Sequence, residues 1–305
     1  MPTEFEIRAA ALRWLRTTTD GGTTPVSRDM LANEFLVDGE RFPLVDRGRG
    51  IRKPAGWTSA LSILTAAPKA GRSRPYDDEE GPDGLHRYKF RRGEGGSAEN
   101  QGLRSAMTTR SPLIWFVGVS AGWFQAIFPV HLIAEEPELD QFVMALSDEQ
   151  RFMYRGGLMS PVEEDFRRYA LAETRRRLHQ PVFSSQVMAA YDTRCAVCAL
   201  GHRELLDAAH ITPDTEAHGF AVVSNGLALC KIHHAAYDRN ILGIRPDLVV
   251  QISERLLHEI DGPMLRYGLQ ERHGQTLMTV PRRVADRPHP VRLEERWELF
   301  RSAAS

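Results

Sequence analysis

The chain has 305 residues, of which 42% are hydrophobic and 26% charged, with a formal net charge of −1. That composition is ordinary for a globular protein, the length suggests two domains, and no apolar run reaches membrane-spanning length. A near-neutral chain is not a globally basic nucleic-acid binder, although phosphate binding needs only a local basic face.

Residues 4–17 follow an amphipathic helix pattern with acidic residues early, and lack the basic and apolar regions of a secretion signal. The segment SRDMLANEF predicts a second helix capped by Ser27. Glycine and proline then punctuate DGERFPLVDRGRGIRKPAGW. TSALSILTA, HRYKF, PLIWFVGV and GWFQAIFPVHLIAEE read as strands, being rich in branched and aromatic residues. Between them, residues 91–112 form a Gly-rich loop leading into a short helix. Residues 161–194 read as helical, broken by Pro181. The run Arg175, Arg176, Arg177 in this segment is either a solvated helix face or a strip that contacts phosphate. Lysine occurs only at Lys53, Lys69, Lys89 and Lys231, so positive charge is almost all arginine. Arginine binds phosphate bidentately, but its heavy use also reflects a GC-rich genome. ILGIRPDLVVQISERL suggests a strand pair, and LEERWELFR a final short helix.

All three cysteines fall within one stretch, CAVC…DAAHI…NGLALCKIHHAAYD, which runs from Cys195 to Asp238. None is left for a disulfide framework, so a reducing compartment, the cytoplasm, and a metal role are expected. Zinc prefers four tetrahedral sulfur or nitrogen ligands, delivered in structural sites as two short-spaced pairs. Cys195 with Cys198 is one such pair, and Cys230 with His233 the other. The loop 199–229 exceeds what a minimal zinc finger needs. It contains His210 and Asn225, and His234 and Asp238 lie just beyond the second pair.

This order resembles the HNH (ββα-metal) nucleases over roughly residues 183–245. The resemblance implies a zinc-stapled hairpin and helix presenting a single catalytic divalent ion, Mg²⁺ or Mn²⁺. In that reading His210 is the general base, suited by an imidazole that is neutral near pH 7. Asn225 ties down the loop and orients the base. His234 binds the divalent ion, and Asp238, at i,i+4 on the same helix face, completes its shell. Many family members place Asp directly before the first histidine; here that residue is Ala209. Asp207, three positions before His210, is expected on the opposite face of the strand.

Three segments between residues 37 and 136 resemble the SRA (SET and RING associated) domain, a reader that flips 5-methylcytosine out of DNA. They are RFPLVDRGRGIRKPAG, RPYDDEEGPDGLHRYKF and Glu99-Asn100-Gln101-Gly102-Leu103; the later Tyr-Asp-Gly motif of that family is absent. The resemblance implies a PUA-like curved β-barrel with Tyr76 and Tyr88 sandwiching the extruded base and Asp78 reading its 4-amino group. The competing reading of YDDEEGPDG is an acidic turn between two strands. Trp57, Trp115 and Trp123 are either pocket or core, and aromatics in strands are more often core.

The expected fold class is α+β: N-terminal helices (1–36), an SRA-like reader (37–157), a helical linker (158–182), a zinc-stapled HNH domain (183–275) and a tail with a short helix (276–305). The expected function is a restriction endonuclease dependent on 5-methylcytosine or 5-hydroxymethylcytosine. Double-stranded DNA would be its partner, and a homodimer would cut both strands. The alternatives are an HNH nuclease whose reader takes another modification or unmodified DNA, and a non-catalytic zinc-stapled DNA-binding module.

Overall fold

The computed structural model describes residues 2–46, 48–67, 81, 83–91, 96–153, 161–214, 216 and 219–304. The chain mixes helix and sheet and divides into two compact units, Met1–Val182 and Phe183–Ser305.

The first unit opens with helix α1 (Glu4–Thr18), started by a capping box in which Thr3 and Glu6 satisfy each other's backbone. Strand β1 (Val26–Ser27) leads into α2 (Arg28–Asn33), where the Ser27 hydroxyl accepts from the Met30 N–H as the sequence predicts. Strands β2 (Leu36–Val37) and β3 (Glu40–Arg41) form a small hairpin. The main sheet takes in β4 (Ile51–Arg52), β5 (Ser62–Thr65), β6 (His86–Lys89), β7 (Leu113–Ser120), β8 (Trp123–Glu136) and β9 (Gln141–Ala145); helix α3 (Gly96–Thr108) precedes β7. The strand order is β4-β5-β7-β8-β9-β6, with β1 added on β8.

The long strand β8 curls this sheet into a half-barrel. Its first half pairs with β7 and its second half, from His131, with β9. The β7–β8 register slips between Leu113 and Trp115, which places Pro129 at a bulge where no ladder N–H is required. Because side chains alternate along β7, Ile114 and Phe116 join the cluster under α1 and α2, whereas Trp115 and Val117 face the second cluster with Leu103 and Phe142. A strand buried on both faces reads as a continuous apolar run, and LIWFV is one.

Strand β9, QFVMA, is absent from the sequence-based reading. Helices α4 (Asp148–Met153) and α5 (Pro161–Thr174) follow it. The break expected at Pro181 takes the form of a π-helical turn, Arg175–His179, after which α6 (Gln180–Ala190) carries the proline in its first turn. The Gln180 N–H reaches back to the Arg175 carbonyl, and this wider turn absorbs the hydrogen bond that proline cannot donate.

In the second unit the chain passes a cysteine-bearing turn into β10 (Leu206–His210) and β11 (Gly226–Cys230), an antiparallel hairpin. Helix α7 (Lys231–Asp238) follows at once, with Cys230 at its N-cap position. Then come the hairpin β12 (Leu242–Ile244) and β13 (Val250–Ile252), short helices α8 (Glu254–Leu257) and α9 (Pro263–Gly268), and α10 (Pro290–Ala304). The final helix is longer than LEERWELFR alone suggests. One apolar cluster, including Phe183, Val187, Tyr191, Leu227, Leu229 and Tyr237, holds the unit together.

Candidate functional site

Two neighbouring constellations sit on the β10–β11–α7 module. The first is a closed cluster. Cys195 and Cys198 lie on a turn closed by the Ala199 N–H donating to the Cys195 carbonyl at 2.9 Å, with Ala199 in the left-handed region at φ 56°. Cys230 ends β11, and His233 is the third residue of α7. The ligating atoms of Cys195, Cys198, Cys230 and His233 all lie within 4.8 Å of one another. His233 Nδ1 is 3.1 Å from the Cys230 sulfur and 3.4 Å from that of Cys195. Zinc–sulfur and zinc–nitrogen bonds of about 2.3 and 2.0 Å, meeting tetrahedrally, put sulfur and nitrogen about 3.5 Å apart. The residues present therefore fit zinc.

The other ring nitrogen, His233 Nε2, lies 2.7 Å from the Gly268 carbonyl, an acceptor that keeps the proton on Nε2 and turns the Nδ1 lone pair toward the sulfurs. Burial depresses the His233 imidazole, but hydrogen bonds and charge from Cys195 and Cys230 outweigh it and raise its pKa to about 10.

The second constellation is open. His210 is the last residue of β10, paired with Gly226 across the hairpin. Its ring stacks on Phe183, with centroids 4.0 Å apart and planes 15° apart. A Cβ at position 226 would come within 2.4 Å of a Val187 methyl and 3.0 Å of the Phe183 ring, so the close approach beside His210 requires glycine. Tyr191 donates its hydroxyl to the Gly226 carbonyl at 3.2 Å. Phe183, Val187 and Tyr191 therefore form a floor that fixes the end of the hairpin.

Asn225 is fully buried. Its amide oxygen accepts from the Thr212 N–H at 2.9 Å, and its NH₂ donates to the carbonyls of Thr212 (3.0 Å) and Phe220 (3.1 Å). The Ile211 N–H donates to the Asn225 carbonyl at 2.9 Å. One side chain thus pins the segment that leaves His210.

His234 lies on the outer part of α7, with carboxylates at both ring nitrogens. Asp207 Oδ2 is 3.2 Å from Nδ1, and Asp238 Oδ2 is 3.4 Å from Nε2. The two carboxylates occupy opposite edges of one imidazole, so a single ion held by one ring nitrogen is shared with one of them. Asp207 is the more enclosed, about one-third exposed against 59% for Asp238. Lys231 adds an ion pair to Asp207 at 2.5 Å. Burial alone would raise the Asp207 pKa, but hydrogen bonds from Lys231 and His234 outweigh it and hold the carboxyl below its usual range. A carboxylate–imidazole set of this kind suits a hard divalent cation with oxygen-rich coordination.

One residue here, Phe183, escapes sequence reasoning, and a second, Asp207, is weighed there as an alternative to Asp238 without being chosen. Phe183 gives no local signal, because its contact with His210 spans the chain. Asp207 carried one: on a strand, positions three and one before the histidine share a face, so Asp207 stands on the face that Ala209 also occupies, two residues along.

The base pocket predicted in the first unit is only partly visible. Tyr76 and Asp78 lie outside the described residues. Tyr88 is buried in an apolar cluster with Ile51, Ile63 and Leu103. Trp115 is core, donating its indole N–H to Thr65 at 3.0 Å, whereas Trp123 is 45% exposed. The Glu99-Asn100 motif ties down Arg91, the second residue past β6. Asn100 bonds both the N–H and the carbonyl of Arg91, and Glu99 pairs with the Arg91 guanidinium. Of the arginine run, Arg176 pairs with Glu173 at 2.7 Å and Arg177 donates to the Phe128 carbonyl at 2.8 Å.

Residues 195–245 match the family described as HNH endonuclease. No curated protein matches the sequence at a significant level. Among solved structures, the chain is similar to a "Modification dependent TagI restriction endonuclease" at 15% identity and a TM-score of 0.29, covering 78% of this chain and 81% of that one. That score is too low to establish a common fold.

Proposed function

We propose that the HNH endonuclease domain carried by this chain is the cutting half of a modification-dependent DNA restriction endonuclease, with the first unit as its reader. The domain makes the chain a DNA endonuclease. The observation that supports a catalytic reading is the convergence of Asp207 and Asp238 on His234, in the same hairpin–helix module whose strand end carries His210 stacked on Phe183. A zinc staple alone needs none of these four.

In this reading His210 accepts the proton of the attacking water, with its ring plane set by Phe183. Asn225 holds the exit from β10 so that the imidazole stays at the hairpin end. His234 would hold the divalent ion, Mg²⁺ or Mn²⁺, together with one of its two carboxylate neighbours, Asp207 at Nδ1 or the expected Asp238 at Nε2. When bound, that ion supplies positive charge at the scissile phosphate and the leaving 3′ oxygen. Cys195, Cys198, Cys230 and His233 hold zinc and keep α7 registered against the hairpin.

The SRA resemblance supports a reader for modified cytosine, with Tyr76, Asp78 and Tyr88 as the base-contacting set. The curled half-barrel suits a PUA-like scaffold. A cytoplasmic restriction enzyme acting as a homodimer on double-stranded DNA follows from the same reading.

The test is digestion of matched plasmids, with and without cytosine methylation or hydroxymethylation, in Mg²⁺ or Mn²⁺. Selective cutting of modified DNA is expected, and His210→Ala should abolish it while leaving fold and DNA binding intact. Equal cutting of both plasmids removes the reader assignment. A His210→Ala chain that still cuts removes the general-base assignment.

A further inference from the structure

A second basic surface lies in the first unit, where Arg28 comes from the SRDMLANEF helix and Arg41 and Arg52 from the RFPLVDRGRGIRKPAG segment. Arg28 at the start of α2, Arg41 at the end of β3 and Arg52 at the end of β4 line one cleft of about 970 Å³, together with Asn33, Asp29 and Asp46. Each guanidinium is held on one side. Arg28 lies over the Phe124 ring at 5.1 Å. Arg41 donates to Asn33 Oδ1 at 3.3 Å, and Asn33 is itself set by donating to Asp29 at 2.7 Å. Arg52 donates its Nε–H to the Pro43 carbonyl at 3.2 Å.

Among the described residues none of the three forms an ion pair with a carboxylate, whereas Arg8, Arg87, Arg91, Arg104 and Arg176 of the same unit all do. Arg52 is half-buried, and burial pushes its guanidinium down from its usual value, offset in part by Asp46. Preset, under-neutralised guanidinium forks in a concave surface match phosphate geometry, because arginine presents several N–H donors in one plane.

We propose that the Arg28–Arg41–Arg52 cleft binds the phosphodiester backbone of duplex DNA. This rests on the nuclease reading and adds to it a sequence-independent contact made by the reader unit. Such contacts fix position on the duplex and carry no base information. They also release counterions, so each one steepens the dependence of affinity on salt.

The measurement is duplex binding across a salt series with the full-length His210→Ala chain as parent, compared with the same chain carrying Arg28→Gln and Arg41→Gln. Both arginines are exposed, so the fold should survive, and thermal unfolding checks it. The slope of log affinity against log salt is expected to fall by about 1 per arginine removed, equally for methylated and unmethylated duplexes. A further Arg52→Gln change should lower it again. Identical slopes and affinities for parent and variant overturn the proposal. So does stabilisation of the parent alone by inorganic phosphate with unchanged duplex binding, which would make the cleft a small-anion site. A parent that binds no duplex overturns the nuclease reading and the cleft with it.

Discussion

A strand repeats every two residues, so Asp207 and Ala209 share one face of β10 and His210 takes the other. Ala209 is fully buried and its methyl offers no ligand atom. Asp207 does reach α7, touching both Lys231 and His234. The offset of three from His210 hid this: it excludes Asp207 from the histidine's face, but it does not remove it from the face that meets His234. Asp207→Asn keeps the shape and removes the charge. Its expected effect is a rise of about 10- to 100-fold in the divalent-ion concentration needed for half-maximal cutting, by the scale of losses around metal sites. Asp238→Asn, at a more exposed position, should shift it less. Metal titration of cleavage by the two variants decides between them, and a larger shift for Asp238→Asn returns the ligand role to that residue. Because the Asp207 carboxyl is held below its usual range, protons should not compete with the ion for it at neutral pH.

At the scale of elements, a zinc ion held by Cys195, Cys198, Cys230 and His233 would do for α7 what a larger core does for longer helices. Helix α7 has eight residues, too short to be stable alone, and two of the four zinc-type ligands lie at its first turn and its cap. Cys198→Ala removes a third ligand, from the turn before β10. It should lower the thermal midpoint on the order of 10 °C, since zinc affinity is folding free energy. A chelator should bring the parent to the same midpoint; a parent indifferent to chelation, with no zinc in the purified protein, would refute the staple.

These elements were legible because their signals are local: x2 ligand spacing, a capping serine at Ser27, apolar runs at β7 and β8. Strand β9 was not, because QFVMA is five residues long, buried throughout, and so shows no alternation. The π-turn before Pro181 and the Phe183–His210 stack depend on what the chain meets in three dimensions. The Arg28, Arg41 and Arg52 cleft is likewise built from three separate elements.

For the whole molecule, the number of sites sets the products. On the proposed reading each chain carries one cutting site, with one His210 and one His234, and a one-metal site would hydrolyse one phosphodiester bond per engagement. Cutting both strands then requires either two chains related by a two-fold axis, matching the pseudo-symmetry of duplex DNA, or two successive visits by one chain. Both routes place a nicked circle between supercoiled and linear plasmid, but they differ in how the second cut depends on protein. Two visits make first and second cuts scale alike with enzyme concentration. A dimer formed on DNA makes the second cut rise more steeply, so nicked circles should accumulate when protein is limiting and vanish when it is abundant. Time courses on a methylated supercoiled plasmid across a range of enzyme concentrations read this directly. Nicked and linear products in a ratio independent of concentration would argue for sequential action by single chains. Linear product with no nicked intermediate at any concentration would mean that the cutting assembly forms before DNA is met.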